Sequence, residues 1–188
     1  GAKVRHEDME SYDPDLDTIN FLPARERLAQ VNEVAKRFAT AQRPVIIAGA
    51  GIRLAHAEEE FHELVNLWNI PVVTVFNGQD VIESDHPCSI GRQGTVGDRP
   101  GNFAVQNADF LLILGTRMGI RQVSYDWRNF ARAAYIAMVD IDAAELRKPT
   151  LRVDLPIHAD LRDFLRMLLR VEVPYYTAEH HLWRAGCN

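Results

Sequence analysis

The feature that most constrains this chain is a set of short, wholly apolar runs cut off by glycine or proline and separated by stretches of helical periodicity. Val45-Ile46-Ile47-Ala48 halts at Gly49-Ala50-Gly51, Ile70-Pro71-Val72-Val73-Thr74-Val75 follows, and Phe110-Leu111-Leu112-Ile113-Leu114 halts at Gly115. Ala134-Tyr135-Ile136-Ala137-Met138-Val139-Asp140-Ile141 is a fourth run. A strand that is apolar at nearly every position must be covered on both faces, which points to a parallel sheet. Arg152-Val153-Asp154-Leu155-Pro156-Ile157 alternates instead and carries a proline that cannot donate to a ladder, so it belongs at a sheet edge. Ahead of the first run, Leu28, Val31, Val34, Ala35 and Phe38 recur at helical spacing after Pro23, a residue suited to a first helical turn. Ala57, Phe61, Leu64, Val65 and Trp68 mark a second helix, with Glu58, Glu59 and Glu60 in the first turn, where the helix dipole favours negative charge. Asp160 caps a last helix whose stripe is Leu161, Phe164, Leu165, Leu168 and Leu169. Strands alternating with helices, joined by right-handed crossovers, predict an α/β fold: a doubly wound, mostly parallel Rossmann-like sheet with helices on both faces.

At 188 residues the chain has room for one such unit. Residues 1–22 read as an acidic N-terminal linker, since Lys3 and Arg5 stand against Glu7, Asp8, Glu10, Asp13, Asp15 and Asp17. Residues 23–170 carry the domain, and residues 171–188, where the periodicity weakens, read as a C-terminal linker. The net charge of −5 is concentrated in the leader, so the rest offers no basic face for nucleic acid or an anionic membrane. No apolar run approaches the ~20 residues of a membrane span, and the first residues lack a signal's apolar core, so a soluble, cytoplasmic protein is expected. Two cysteines, Cys88 and Cys187, are too few for a disulfide framework or a four-thiolate zinc site, and a site at His180, His181 and Cys187 is disfavoured.

In an open parallel sheet, ligands bind beyond the carboxyl ends of the strands, so the residues after Ala48, Val75, Leu114 and Ile141 are the ones to inspect. Gly49 and Gly51 allow backbone N–H groups to approach a phosphate, or simply end a strand. In the dinucleotide fingerprint G-x-G-x-x-G the third glycine would fall at Leu54, and no acid closes the second strand, so a standard NAD site is disfavoured. Arg117 and Arg121 leave the third strand among small residues and can meet one phosphate, a flavin or an adenine, or form surface ion pairs. Asp140 and Asp142 end the fourth strand, where a carboxylate can accept from ribose hydroxyls or an exocyclic amine. Asp142 with Glu145 equally fits a helix cap. His86-Pro87-Cys88 and Gly91-Arg92-Gln93-Gly94 read as a glycine-rich loop near the same crevice, with His86 structural.

Several of these segments stand together in a familiar order. Arg43-Pro44-Val45 leading to Gly49-Ala50-Gly51, Pro71-Val72-Val73-Thr74, and His86-Pro87 with Gly91 come first. Gly101-Asn102-Phe103-Ala104 with Ala108-Asp109, Leu114-Gly115-Thr116-Arg117 and Asp140-Ile141-Asp142-Ala143-Ala144-Glu145 follow. Over residues 23 to 170 the chain resembles the central domain of thiamine-diphosphate enzymes, and in particular of the acetolactate synthase large subunit. The resemblance implies a longer protein, a transferase or lyase, in which pyrimidine- and diphosphate-binding domains of the same chain hold thiamine diphosphate and magnesium, commonly as a homo-oligomer. This chain has no Gly-Asp-Gly motif, Gly97-Asp98-Arg99 being the nearest, so it resembles a middle domain with no catalytic or metal-binding residues of its own and no activity alone. In such synthases the middle domain binds FAD in a non-redox role. The positions carried over by motif are Gly49, Gly51, Val75, Phe76, Gly91, Arg92, Gly115, Arg117, Arg121, Asp140, Ile141 and Asp160. Where the synthases have an Asp-Asp-Arg run, this chain has Gly119-Ile120-Arg121, which leaves FAD, ADP or no ligand open. The competing expectations are a purely structural interaction domain with an empty crevice and a stand-alone NAD-binding domain.

Overall fold

The computed structural model describes residues 21–172 and 177–187, so nearly all of the acidic leader lies outside the described residues. Six strands form one all-parallel sheet: β1 Pro44–Ala48, β2 Val72–Thr74, β3 Ser89–Arg92, β4 Phe110–Leu114, β5 Tyr135–Asp140 and β6 Leu155–His158. Their order is β3-β2-β1-β4-β5-β6, the doubly wound order in which the chain reverses direction across the sheet between β1 and β4. β1 and β4 are buried at every position, as their uninterrupted apolar runs require. β6 lies at the edge, where Pro156 sits opposite Met138 with no further strand beyond it. β3 is the departure from expectation. The stretch read as a glycine-rich loop contributes an edge strand beside β2, in which Ile90 is the buried residue.

One face of the sheet is covered by α1 Ala24–Thr40, α3 Glu58–Trp68 and α6 Leu161–Leu168. Val31, Val34, Ala35 and Phe38 of α1 are buried as the periodicity predicts, but Leu28 is exposed, one turn before the helix reaches the sheet. Phe38 stacks on Trp68 with ring centroids 3.9 Å apart, joining α1 to α3. Asp160 caps α6 by accepting from the Asp163 N–H at 3.0 Å. Glu60 does more than complement a helix dipole. Its Oε1 accepts from Arg162 Nε at 2.9 Å and from Arg166 Nε at 2.8 Å, tying α3 to α6.

The other face is covered by α4 Arg99–Asn107, by α5 Ile120–Val123 with the loop after it, and by α7 Ala178–Cys187. α7 falls in the segment read as a C-terminal linker. It packs on the domain through buried Cys187, while Trp183 Nε1 donates to the Pro44 carbonyl at 3.1 Å and His180 Nε2 pairs with the Ala41 carbonyl at 2.8 Å. Burial pushes the Cys187 thiol up to about 12, which keeps it protonated and unreactive at neutral pH. Among the described residues no helix is long and apolar enough to cross a membrane.

Candidate functional site

At the carboxyl ends of the strands, directly over the β1/β4 reversal, lies a cleft of about 570 Å³. Its walls are the exits of β1, β4 and β5 and the start of α6, the place where the topology alone puts a binding crevice. The volume is that of a small-molecule or cofactor site.

The glycines build the floor. A Cβ on Gly51 would lie 2.5 Å from the Gly115 Cα, and one on Gly49 would lie 2.3 Å from the Gly115 carbonyl oxygen. Gly115 itself has φ +60, a left-handed conformation that a side chain would strain. Contrary to expectation, the Gly49 and Gly51 N–H groups are already engaged by the backbone and not turned to a phosphate. Gly49 N–H donates to the Leu114 carbonyl and Gly51 N–H to the Gly115 carbonyl, each at 2.9 Å. These glycines let the backbone at the ends of β1 and β4 pack in direct contact. The helix behind them, α2 Gly51–Leu54, has four residues and contributes little dipole.

The cationic wall is the segment from Gly115 to Gln122, pinned by a side chain the sequence did not single out. Buried Gln122 accepts from the Gly119 N–H at 2.7 Å through Oε1 and donates to Thr116 Oγ1 at 3.1 Å through Nε2. Arg117, exposed over most of its length, reaches Glu145 at 3.9 Å, and Lys148 holds both Glu145, at 2.6 Å, and the Arg117 carbonyl. Arg121 lies against the Phe76 ring, 5.9 Å from guanidinium carbon to centroid. The acidic wall is at the end of β5. Asp140 is buried and accepts from the Asp142 N–H at 2.9 Å, while Asp142 accepts from the Ala144 N–H at 2.8 Å in a short turn, not the cap of a long helix. Burial pushes the Asp140 carboxyl above the usual carboxylate range against the Asp142 N–H, with the nearby Asp142 and Glu145 charges adding to the rise.

Eight expected residues meet at the cleft: Gly51, Phe76, Gly115, Arg117, Arg121, Asp140, Ile141 and Asp160. Four do not line it. Gly49 lies under the floor, Val75 is fully buried in the core, and Gly91 and Arg92 belong to β3. There Arg92 is engaged by Asp98, whose Oδ2 accepts the Arg92 N–H at 3.0 Å and whose Oδ1 is 3.3 Å from the guanidinium. Leu54, Ala55, Asn77, Thr116, Ile120 and Gln122 line the cleft without having been expected there. Leu54 at 82% and Ile120 at 52% exposure join Phe76 and Ile141 in an apolar rim that marks a surface meant to be covered.

The fold and cleft together define a doubly wound α/β domain with a crevice at its topological switch point. The chain belongs to the family described as thiamine pyrophosphate enzyme, central domain, which matches residues 31–168. It is 38% identical over 141 residues to the probable acetolactate synthase large subunit of Methanococcus aeolicus, covering 75% of this chain and 23% of that protein. Its identity to the namesake from Methanocaldococcus jannaschii is 37% over 154 residues, covering 82% and 26%. To the acetolactate synthase large subunit of Lactococcus lactis it is 35% over 142 residues, covering 76% and 24%. The chain thus spans about a quarter of the length of the curated relatives it matches.

Proposed function

We propose that the cleft over the β1/β4 reversal holds an adenine nucleotide, FAD or ADP, as the non-catalytic binding part of an acetolactate synthase-like enzyme. The observation that carries this reading is the pairing of two guanidiniums, Arg117 and Arg121, with a buried carboxylate, Asp140, across one cleft. The residues fit the group. The arginines suit a diphosphate, the Asp140 carboxylate accepts hydrogen bonds from a ribose or an exocyclic amine, and the Phe76 and Ile120 surfaces suit a planar ring. Gln122 keeps the arginine-bearing segment in place, which spares the ligand part of the entropy of ordering it.

In the whole protein the proposal assigns thiamine diphosphate and magnesium to pyrimidine- and diphosphate-binding domains of the same chain, in a homo-oligomer. The thiamine group, when bound there, supplies the carbanion chemistry of the reaction. This domain's own residues bind and position. The NAD alternative is weakened by Leu54 at the third glycine position and by the Gly51 N–H already donating to Gly115. Titration of ADP and FAD into the chain and into Arg117→Ala tests the reading. Loss of one charge-assisted phosphate contact weakens binding by about ten- to a hundredfold. Equal affinity of both proteins for both nucleotides overturns it.

A further inference from the structure

A second concave site lies at the opposite end of β5, beside Ile136 and not beside Asp140, in a groove of about 390 Å³. Four residues of rise along the strand separate the two positions, roughly 13 Å at 3.3 Å per residue. The groove is a recess with an apolar base, because Phe130, Ile136 and Leu151 are buried beneath it. Around this base stand Arg128, Arg132 and Arg152 with the partly exposed indole of Trp127, and among the described residues no carboxylate lines it.

The three guanidiniums are not equivalent. Arg152 is fixed, donating to the Ala134 carbonyl at 2.5 Å and lying 3.3 Å from Asp154. Asp154 also accepts the Ile136 N–H at 2.9 Å, so its charge is shared with the backbone. Arg128 and Arg132 enter no ion pair among the described residues. The nearest acid in sequence, Asp126, accepts from the Asn129 side chain at 2.6 Å within its own turn. Between the two open arginines, Ala131 is fully buried with φ +42, a conformation that a non-glycine residue adopts only when its surroundings impose it. That turn carries the chain from Phe130, packed inward, to Arg132, directed outward to the groove.

We propose that this groove is a ligand site separate from the cleft, taking a small phosphate ester that carries a planar ring. Guanidinium forks match phosphate oxygens in pairs, and an indole beside them offers a face to a flat ring. A recess of this volume is within the range of small-molecule sites, where an acidic protein partner would need a broader surface. The inference does not rest on the nucleotide reading of the cleft.

The test is a titration of phenyl phosphate into the isotope-labelled chain, following the indole N–H signals in a correlation spectrum. Trp127 is assigned by the loss of its signal in Trp127→Phe. The expected result is a saturable shift of the Trp127 signal, with Trp68, stacked on Phe38, and Trp183, bonded to Pro44, unmoved. Arg128→Glu and Arg132→Glu each weaken the affinity about tenfold or more, and Arg132→Lys, which keeps the charge and loses the fork, less than Arg132→Glu. The remaining amide signals show that each variant is folded. Absence of a Trp127 shift at millimolar phenyl phosphate, or equal affinities in the wild type and both glutamate variants, overturns the proposal. A response to an acidic peptide and none to phenyl phosphate overturns it in favour of a protein partner.

Discussion

Replacing Gly51 with alanine tests the claim that the floor of the cleft is a backbone-to-backbone contact. The added Cβ would meet the Gly115 Cα at 2.5 Å and the Gly115 carbonyl oxygen at 2.7 Å. Both are main-chain atoms that no rotamer change can move, and the Gly51 N–H is itself bonded to that carbonyl at 2.9 Å. The strand ends must therefore separate. Overpacking of this kind costs about 1–3 kcal/mol. For a domain of this size each kcal/mol moves the melting temperature by about 2–4 °C, so the expected drop is roughly 2–12 °C. Gly119→Ala is the matched control, because no heavy atom lies within 4 Å of its added Cβ and its φ of −72 is ordinary. Its gain from a narrower unfolded ensemble is offset by alanine's poorer fit at the N-cap of α5, so its melting temperature should change little. Thermal melts of the two variants decide the matter. An unchanged melting temperature for Gly51→Ala, or an equal drop in both, would refute the reasoning.

Other consequences are equally concrete. Burial works to raise the Glu60 carboxyl, but the hydrogen bonds from Arg162 and Arg166 outweigh it and hold the group below its ordinary value. The unfolded chain then binds that proton more tightly, so the stabilisation is full above the ordinary glutamate range and is lost as pH falls through the lower folded value. Denaturant midpoints of Glu60→Gln should fall below wild type at neutral pH, with the gap closing in acid; a pH-independent gap contradicts this. Gly186 lies exposed in α7 with open space around it, so Gly186→Ala should raise stability by about 0.5–1 kcal/mol in the same assay. A destabilised Gly186→Ala would show that α7 is not the packed helix described above.

What was legible in the sequence follows the strength of burial. β1 and β4 sit in the middle of the sheet, and nothing but apolar residues is tolerated there, so their runs announce themselves. The same holds for α3 and α6, whose buried faces recur at helical spacing. β3 buries only Ile90 and carries Gly91 at φ +95, so nothing in its residues distinguishes it from a loop. α7 is anchored by polar contacts of His180, Trp183 and Arg184 as much as by apolar burial, which leaves no stripe to read. In the cleft, Arg117, Arg121 and Asp140 were visible because charged residues directly after apolar strands are unusual. Gln122 was not, because its role depends on reaching back to Gly119 and Thr116, a closure that spacing does not reveal. The glycine pair was visible as a pattern, but its tight packing on Gly115 of the neighbouring strand exit was not.

The most direct test of the central claim is a residue-by-residue map of the chain's amide signals as ADP, and then FAD, is added. The expected result is saturable shifts confined to the cleft: the Gly115–Gln122 segment, Asp140, Ile141 and Asp142, Phe76 and Asn77, Gly51, Leu54 and Ala55, and Asp160 and Leu161, with β3 and α7 silent. Binding with its largest shifts elsewhere, or no shift from either nucleotide at millimolar concentration, would contradict it.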